Sequence, residues 1–229
     1  MRRILLCVLL GSCCYAGPAF SHALSTSLCV APLQAASPNF ANGVADSKVS
    51  RPETITETLW VEGEPESVVL DRFAPASVPI STYAVRDSFI TESDCTDGLA
   101  VARFVANGGN VRNDQAYVSV TVPTKFPVSA TQLWQQYAGL GGWLVSINAS
   151  IVTDPELQPA LKQFGWVKRA VAFRRVVEGE LVTGELYLGE MHGQPFIVIV
   201  HLPAEYVEGY GPRVSLLLKH LQVCQPSQP

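Results

Sequence analysis

Three histidines could act as general bases near neutral pH: His192, His201 and His220. Nucleophilic catalysis needs such a base beside a Ser, Thr or Cys side chain, usually with the nucleophile on a sharp turn. The sequence contains no Gly-x-Ser-x-Gly motif. The three histidines fall in a predicted turn, at the end of a predicted strand and on a predicted amphipathic helix, which favours structural roles. The sequence therefore assigns no catalytic residue.

An acidic segment, Glu92, Asp94 and Asp97 followed by Gly98, resembles a fragment of a calcium loop. Hard cations prefer clustered oxygen ligands around a glycine bend. The spacing departs from Asp-x-Asp-x-Asp-Gly, however, and no glutamate closes the loop. The segment therefore predicts a hairpin turn, and the sequence indicates no metal or cofactor site.

The cysteines indicate a disulfide if the protein is exported. Three of the six lie in or beside the first 23 residues, and the others are Cys29, Cys95 and Cys224. Outside the cytosol two of these three could pair, which would stabilise the fold by about 2 to 4 kcal/mol, and the third would be left over. The sequence leaves open which two pair. No two of them are spaced as a paired zinc ligand motif.

The N-terminus has the layout of a secretory signal peptide over residues 1–23. Arg2 and Arg3 precede a short apolar run, Ile4 to Leu10, and small residues follow up to Ala23. We therefore expect export, to a periplasm or a thylakoid lumen. The run is too short to span a bilayer, which needs about 20 residues. Cys13 follows Leu-Gly-Ser as in a bacterial lipoprotein signal, so it is a candidate for lipidation, and a lipid anchor is the one membrane contact that the sequence indicates.

The charge argues against a nucleic acid partner. Loss of residues 1–23 removes two arginines and no acid, which moves the formal net charge from −4 to −6. Phosphate binding needs a basic surface, and the main basic cluster is split between two strand faces. Its residues are Lys168, Arg169, Arg174 and Arg175. We interpret this segment as a solvated edge strand.

Composition divides the remaining chain into three parts. Residues 24–68 are rich in Ala, Ser and Pro without an apolar period, which predicts a linker or a loosely packed arm. Residues 69–224 have the size of one domain with one core, and residues 225–229 form a short tail.

Patterns of apolar residues and turn formers predict alternating groups of strands and helices. A capping residue at Ser129 begins one helix, and Thr153 with Glu156 begins a second that Gly165 ends. The predicted strands are Ser81–Ile90, Leu99–Ala106, Ala116–Val122, Ala170–Val177, Val182–Gly189 and Pro195–Leu202, and the predicted helices are Ser129–Ala138, Thr153–Gly165 and Ala204–Leu221. This order predicts an α+β fold with a mainly antiparallel sheet flanked by helices.

The last helix should pack on a central strand. Phe196–Val200 is apolar on both faces, which predicts a strand covered on both sides. Pro212 costs about 3 kcal/mol inside a regular helix, but the apolar stripe from Tyr206 to Leu221 continues in phase across it. Each large side chain that is buried contributes roughly 1.5 to 3 kcal/mol, so we predict one kinked helix.

The order of elements resembles a known family. A meander, a helix and a hairpin lead into Gly193-Gln-Pro-Phe-Ile-Val-Ile-Val-His-Leu-Pro-Ala-Glu-Tyr-Val-Glu-Gly-Tyr-Gly-Pro-Arg213 and a closing helix. This is similar to the PsbP-like sandwich that PsbP and Mog-type proteins share, over roughly residues 80–223. The resemblance implies a non-catalytic accessory protein that binds a protein partner at a membrane complex, such as photosystem II.

Two other functions remain open from the sequence. The first is an exported hydrolase whose polar residues converge only in three dimensions, in a cleft that holds His201 or His220 beside a carboxylate and a hydroxyl group. The second is a structural envelope lipoprotein anchored through Cys13.

Overall fold

The computed structural model describes residues 53–61, 63–125, 128–152 and 163–224. The predicted signal peptide, the predicted linker up to residue 52, most of the predicted helix that begins near Thr153 and the tail 225–229 lie outside the described residues. The described strands are β1 (Thr54–Val61), β2 (Glu64–Phe73), β3 (Ile80–Val85), β4 (Phe89–Thr96), β5 (Leu99–Gly108), β6 (Val111–Pro123), β7 (Ser150–Val152), β8 (Val167–Val177), β9 (Glu180–Met191), β10 (Gln194–Pro203) and β11 (Gln222–Val223), and the helices are α1 (Ala130–Ala138), α2 (Trp143–Ser146) and α3 (Val207–Lys219).

The strands form two antiparallel sheets. One has seven strands in the order β4-β5-β6-β10-β9-β8-β7, and the other has four in the order β1-β2-β3-β11. Every described strand pair is antiparallel. The prediction of an α+β fold with a mainly antiparallel sheet and flanking helices is confirmed.

Tight turns between neighbouring strands explain much of this order. At Asp97-Gly98, Glu178-Gly179 and His192-Gly193 both residues have positive φ angles. This is the type I′ geometry, whose twist matches that of a hairpin, and Gly adopts it without a steric penalty. The acidic segment that ends at Gly98 therefore belongs to the β4–β5 hairpin, as predicted.

The predicted strand Ser81–Ile90 is divided into two. Asp87 has a φ of 60°, in the left-handed region, and the chain turns there between β3 and β4. β3 joins the four-stranded sheet, while β4 forms an edge of the seven-stranded sheet. The sequence pattern missed the break because Asp tolerates this conformation better than most residues and no glycine or proline marks it.

The prediction of a linker or a loosely packed arm is wrong for residues 54–61 and 64–68, which lie in β1 and β2. The run Thr-Ile-Thr-Glu-Thr-Leu-Trp-Val is rich in residues that favour strands, and Gly63 supplies a turn with a φ of 84°. Leu59, 3 % exposed, packs in a cluster with Leu70 and Tyr83, so this hairpin belongs to the folded unit.

The strand β10 lies fourth of seven and is covered on both faces, as predicted. One face presents Phe196, Val198 and Val200 to a core that includes α3. The other presents Ile197 and Ile199 to a second core with α1 and α2. Strand geometry makes successive side chains alternate between the two faces, so both must be apolar.

The helix α3 packs against both sheets. Val214, Leu217 and Leu218 belong to the core that includes β10, while Leu216 packs with the cluster around Leu59. The helix continues across Pro212, and a single 3-10 turn, Ala204–Tyr206, precedes it. Burial of the apolar side chains therefore outweighs the proline penalty, as predicted.

Candidate functional site

A cavity of about 550 Å³ lies between α3 and the strands β8, β9 and β10. Its lining is mainly apolar, and a few polar groups converge on it. This combination is typical of sites for small ligands. The lining residues are Val152, Gln163, Phe164, Ala172, Phe173, Arg174, Thr183, Gly184, Glu185, Tyr187, Val200, Leu202, Ala204, Val207, Glu208, Gly211, Val214, Ser215 and Leu218.

Small residues keep the cavity open. Ala172, Ala204, Gly211 and Ser215 line it at positions where larger side chains would fill the space. A Cβ atom added to Gly211 would have no heavy atom of the surrounding structure within 4 Å. The sequence of α3 therefore leaves room between the helix and the sheet where packing would otherwise be tight.

Strand β9 brings three polar side chains to the cavity. Thr183, Glu185 and Tyr187 alternate with Leu186 and Leu188 along β9 and so lie on one face of the strand. The Tyr187 hydroxyl donates a hydrogen bond to Oε2 of Glu185. Tyr187 is buried, and Glu185 is partly buried.

Burial changes the acid–base behaviour of this pair. It raises the pKa of Glu185 above its ordinary value, and the hydrogen bond from Tyr187 opposes only part of that change. Burial also raises the pKa of Tyr187, and the neighbouring carboxylate adds to the effect. Perturbed titratable groups in a cleft are typical of functional sites, although structural pairs also show them. The tyrosine is therefore a hydrogen bond donor, and the glutamate can take up a proton more readily than an exposed one.

Two further charges lie at the cavity, on exposed residues. Arg174 comes from β8 and Glu208 from α3. Neither forms an ion pair with another residue that the structure describes. Arg174 lines the cavity, whereas Arg175 lowers the pKa of His201 on the other face of the sheet. This agrees with the prediction that the two arginines point in opposite directions. The prediction of an edge strand is wrong over Ala172–Arg174, where β7 pairs with β8.

His201 lies on the sheet face opposite to the cavity. Its Nδ1 is 2.6 Å from the Gln115 carbonyl oxygen, which can only accept, so Nδ1 carries the proton. The His201 ring stacks on the Tyr117 ring, with 4.9 Å between the two ring centroids. The Arg103 guanidinium lies over the Tyr117 ring, 4.4 Å from its centroid. Burial lowers the pKa of His201, and the nearby arginines add to the effect. Its Nε2 is buried and has no hydrogen bond partner among the residues that the structure describes.

His220 connects α3 to β1. Its Nε2 is 2.6 Å from Oε1 of Glu57, and the Nζ of Lys219 is 2.6 Å from Oε2 of the same carboxylate. Although burial opposes it, these two hydrogen bonds lower the pKa of Glu57. Among the described residues, no Ser, Thr or Cys side chain forms a hydrogen bond with His201 or His220. Neither histidine lines the cavity.

The other candidate residues have structural surroundings. Cys95 is disulfide-bonded and Cys224 is a free, exposed thiol, so these two do not pair with each other. Glu92 pairs with Arg112 at 2.6 Å, and Asp94 accepts a hydrogen bond from Thr96. No group of three or more His, Cys, Asp or Glu side chains is placed to hold a metal ion among the residues described. Cys13 and Cys29 lie outside them.

The sequence interpretation missed Glu185, Tyr187 and Gly211. A charged residue in the middle of an otherwise apolar strand is the signal that could have indicated Glu185. The meeting of β9 with α3 depends on the whole sheet order, which no local pattern carries.

Comparisons with known proteins give little about function. No protein-family model matches this chain, and no curated protein matches it. Among solved structures, the chain is similar to a protein from Bacteroides thetaiotaomicron VPI-5482, with 14 % identity and a TM-score of 0.40. The match covers 69 % of this chain and 49 % of the other, so the chain spans about half the length of that protein. None of the described helices is both long and apolar enough to cross a membrane.

Proposed function

We propose that this protein is an exported binding protein whose cavity takes a small, mainly apolar molecule that carries a hydrogen-bonding group. The apolar part of the ligand lies among Val200, Leu202, Val207, Val214 and Leu218. Its polar group faces the Glu185–Tyr187 pair. Both the fold and the cavity fit a role that depends on binding rather than on chemical turnover.

The observation that carries this proposal is the Glu185–Tyr187 hydrogen bond inside a mainly apolar cavity of about 550 Å³. A carboxyl group in apolar surroundings costs stability unless its oxygens have partners. Tyr187 supplies one donor, and a carboxylate has about four acceptor positions. A ligand that brings a second donor would therefore gain orientation from the site as well as affinity.

A fluorescent probe tests the cavity directly. N-phenyl-1-naphthylamine is apolar, has one N–H donor and fluoresces more strongly in apolar surroundings. We expect the purified protein, lacking residues 1–23, to bind it with a saturable increase in fluorescence. Gly211→Trp should weaken this binding at least about tenfold, a change of roughly 1.4 kcal/mol, because the indole occupies the cavity.

Gly209→Trp is the matched control. Gly209 lies on the same helix, a Cβ atom there also has no heavy atom of the surroundings within 4 Å, and the residue does not line the cavity. This variant should bind the probe like the wild type. Equal binding by both tryptophan variants would place the probe elsewhere and overturn the proposal, as would a lack of saturable binding by the wild type.

From the sequence we further propose a PsbP-like assignment, a protein partner at a membrane complex such as photosystem II, and a location in a periplasm or thylakoid lumen. Affinity capture of the native protein from membranes tests the partner: recovery of photosystem subunits supports it, and recovery of none removes the support.

A further inference from the structure

We propose that the molecule bound in this cavity is an apolar amine, held as an ammonium ion by the carboxylate of Glu185. This inference rests on the proposed binding function and specifies the chemistry of the ligand. It follows from which charged groups line the cavity and from the number of hydrogen bonds that each can still make.

The charged groups around the cavity favour a cation. The titratable side chains that line it are Glu185 and Tyr187 from β9, Arg174 from β8 and Glu208 from α3. Two are acids and one is a base, and Tyr187 remains protonated because its pKa is raised. Arg174 is exposed, whereas Glu185 is partly buried. A charge in the interior of the cavity therefore meets a carboxyl group before it meets the guanidinium.

The hydrogen bonds of Glu185 also favour an amine as the ligand. Among the described residues, the Tyr187 hydroxyl is the one group that donates a hydrogen bond to this carboxyl group. An ammonium ion has three donors and a positive charge, so it can satisfy both the open acceptor positions and the charge. A carboxylate ligand would be repelled, and an alcohol would supply one donor without compensating the charge.

Register places the charged head and the apolar body of such a ligand. Glu185 pairs with Ala172. Thr183, two residues nearer to the β8–β9 turn, pairs with Arg174. The α3 residues that line the cavity include the uncharged Val207, Gly211 and Val214, and the charged residue among them is the acid Glu208. An amine at Glu185 can therefore extend its apolar body along the helix without meeting a second cation there.

Three probes with the same aromatic body test the charge preference. They are 1-naphthylmethylamine, 1-naphthylmethanol and 1-naphthoic acid, each used to displace N-phenyl-1-naphthylamine at pH 7.5. We expect the amine to displace it at a concentration at least about tenfold lower than the alcohol, and the acid to be the weakest. In Glu185→Gln the ratio between amine and alcohol should fall to about one.

Tyr187→Phe is the matched variant, because it removes a polar group from the same pair but keeps the carboxylate. The amine should keep its advantage over the alcohol there. A wild type that prefers the alcohol or the acid, or a preference for the amine that survives in Glu185→Gln, overturns this inference. Either result leaves the proposed binding function standing, provided that Gly211→Trp still blocks the fluorescent probe. Failure of the fluorescent probe to bind overturns both.

Discussion

Burial of Glu185 disfavours the ionised form of its carboxyl group, and this makes the stability of the protein depend on pH. Because burial raises its pKa, the folded protein binds more protons than the unfolded chain at pH values from the ordinary pKa of glutamate, about 4.3, up to the raised pKa. The contribution of this residue to the free energy of unfolding therefore falls as pH rises through that window. Binding sites often keep such groups at a cost in stability.

Replacement of Glu185 by glutamine should remove this pH dependence. Glutamine keeps the size of the side chain and can still accept the hydrogen bond from Tyr187, but it does not titrate. We expect the stability of the wild type relative to Glu185→Gln to decrease between pH 4 and pH 8, by about 1.4 kcal/mol for each unit by which the pKa is raised. Urea unfolding at several pH values measures it. A constant difference between the two proteins would contradict the prediction.

His201 should give the opposite pH dependence. Burial lowers its pKa, so the unfolded chain binds more protons than the folded protein below about pH 6.5. The free energy of unfolding should therefore fall as the pH drops from about 6.5 towards the lowered pKa. His201→Phe keeps a ring beside Tyr117 but leaves the Gln115 carbonyl unpaired, at a pH-independent cost of about 1 to 3 kcal/mol. Unfolding curves at pH 7.5 and 5.5 should show that the free energy of unfolding falls less in the variant than in the wild type. An equal fall in the two proteins would contradict the prediction.

At the scale of the elements, the sequence predicted the parts in which local pattern and tertiary packing agree. The alternation in β6, the apolar run of β10 and the stripe of α3 all follow the faces that the structure buries. Ser129 caps α1, and Gln132 completes the capping box. β1 was missed because its buried face consists of isolated apolar residues and its other face carries threonines, so composition concealed a strand pattern. The candidate site was missed for a different reason, since Glu185 and Gly211 are 26 positions apart and meet only in the folded protein.

The β1–β2 hairpin gives a test with two adjacent residues. Leu59 is 3 % exposed and packs with Leu70 and Tyr83, whereas Trp60 is 63 % exposed on the other face of the strand. We expect Leu59→Ala to lower the free energy of unfolding by about 2 to 5 kcal/mol, the usual cost of a cavity in a core. Trp60→Ala should lower it by less than about 1 kcal/mol. Denaturant unfolding measures both, and a similar small effect of the two substitutions would indicate that the hairpin is a loosely packed arm after all.

At the scale of the whole molecule, α3 determines both the core and the cavity. Its leucines pack against two sheets, and Glu57 joins it to β1 through Lys219 and His220. The small residues of the same helix face β9 and leave the space that we assign to the ligand. The helix that anchors both cores therefore also bounds the cavity on one side.

The disulfide gives the last prediction, and it also tests export. Cys95 is disulfide-bonded and Cys224 is free. If residues 1–23 are removed, as the sequence predicts, Cys29 is the remaining cysteine, and we predict that it pairs with Cys95. We expect mass spectrometry of an unreduced digest of the exported protein to find a Cys29–Cys95 peptide and an alkylated Cys224. Cys29→Ser should free Cys95 for alkylation and lower the free energy of unfolding by about 2 to 4 kcal/mol. Cys224→Ser, the matched control, should change neither. A Cys95–Cys224 peptide would contradict the pairing. A Cys95 thiol that is alkylated in the exported wild type would contradict both the pairing and the expectation that the chain folds in an oxidising compartment.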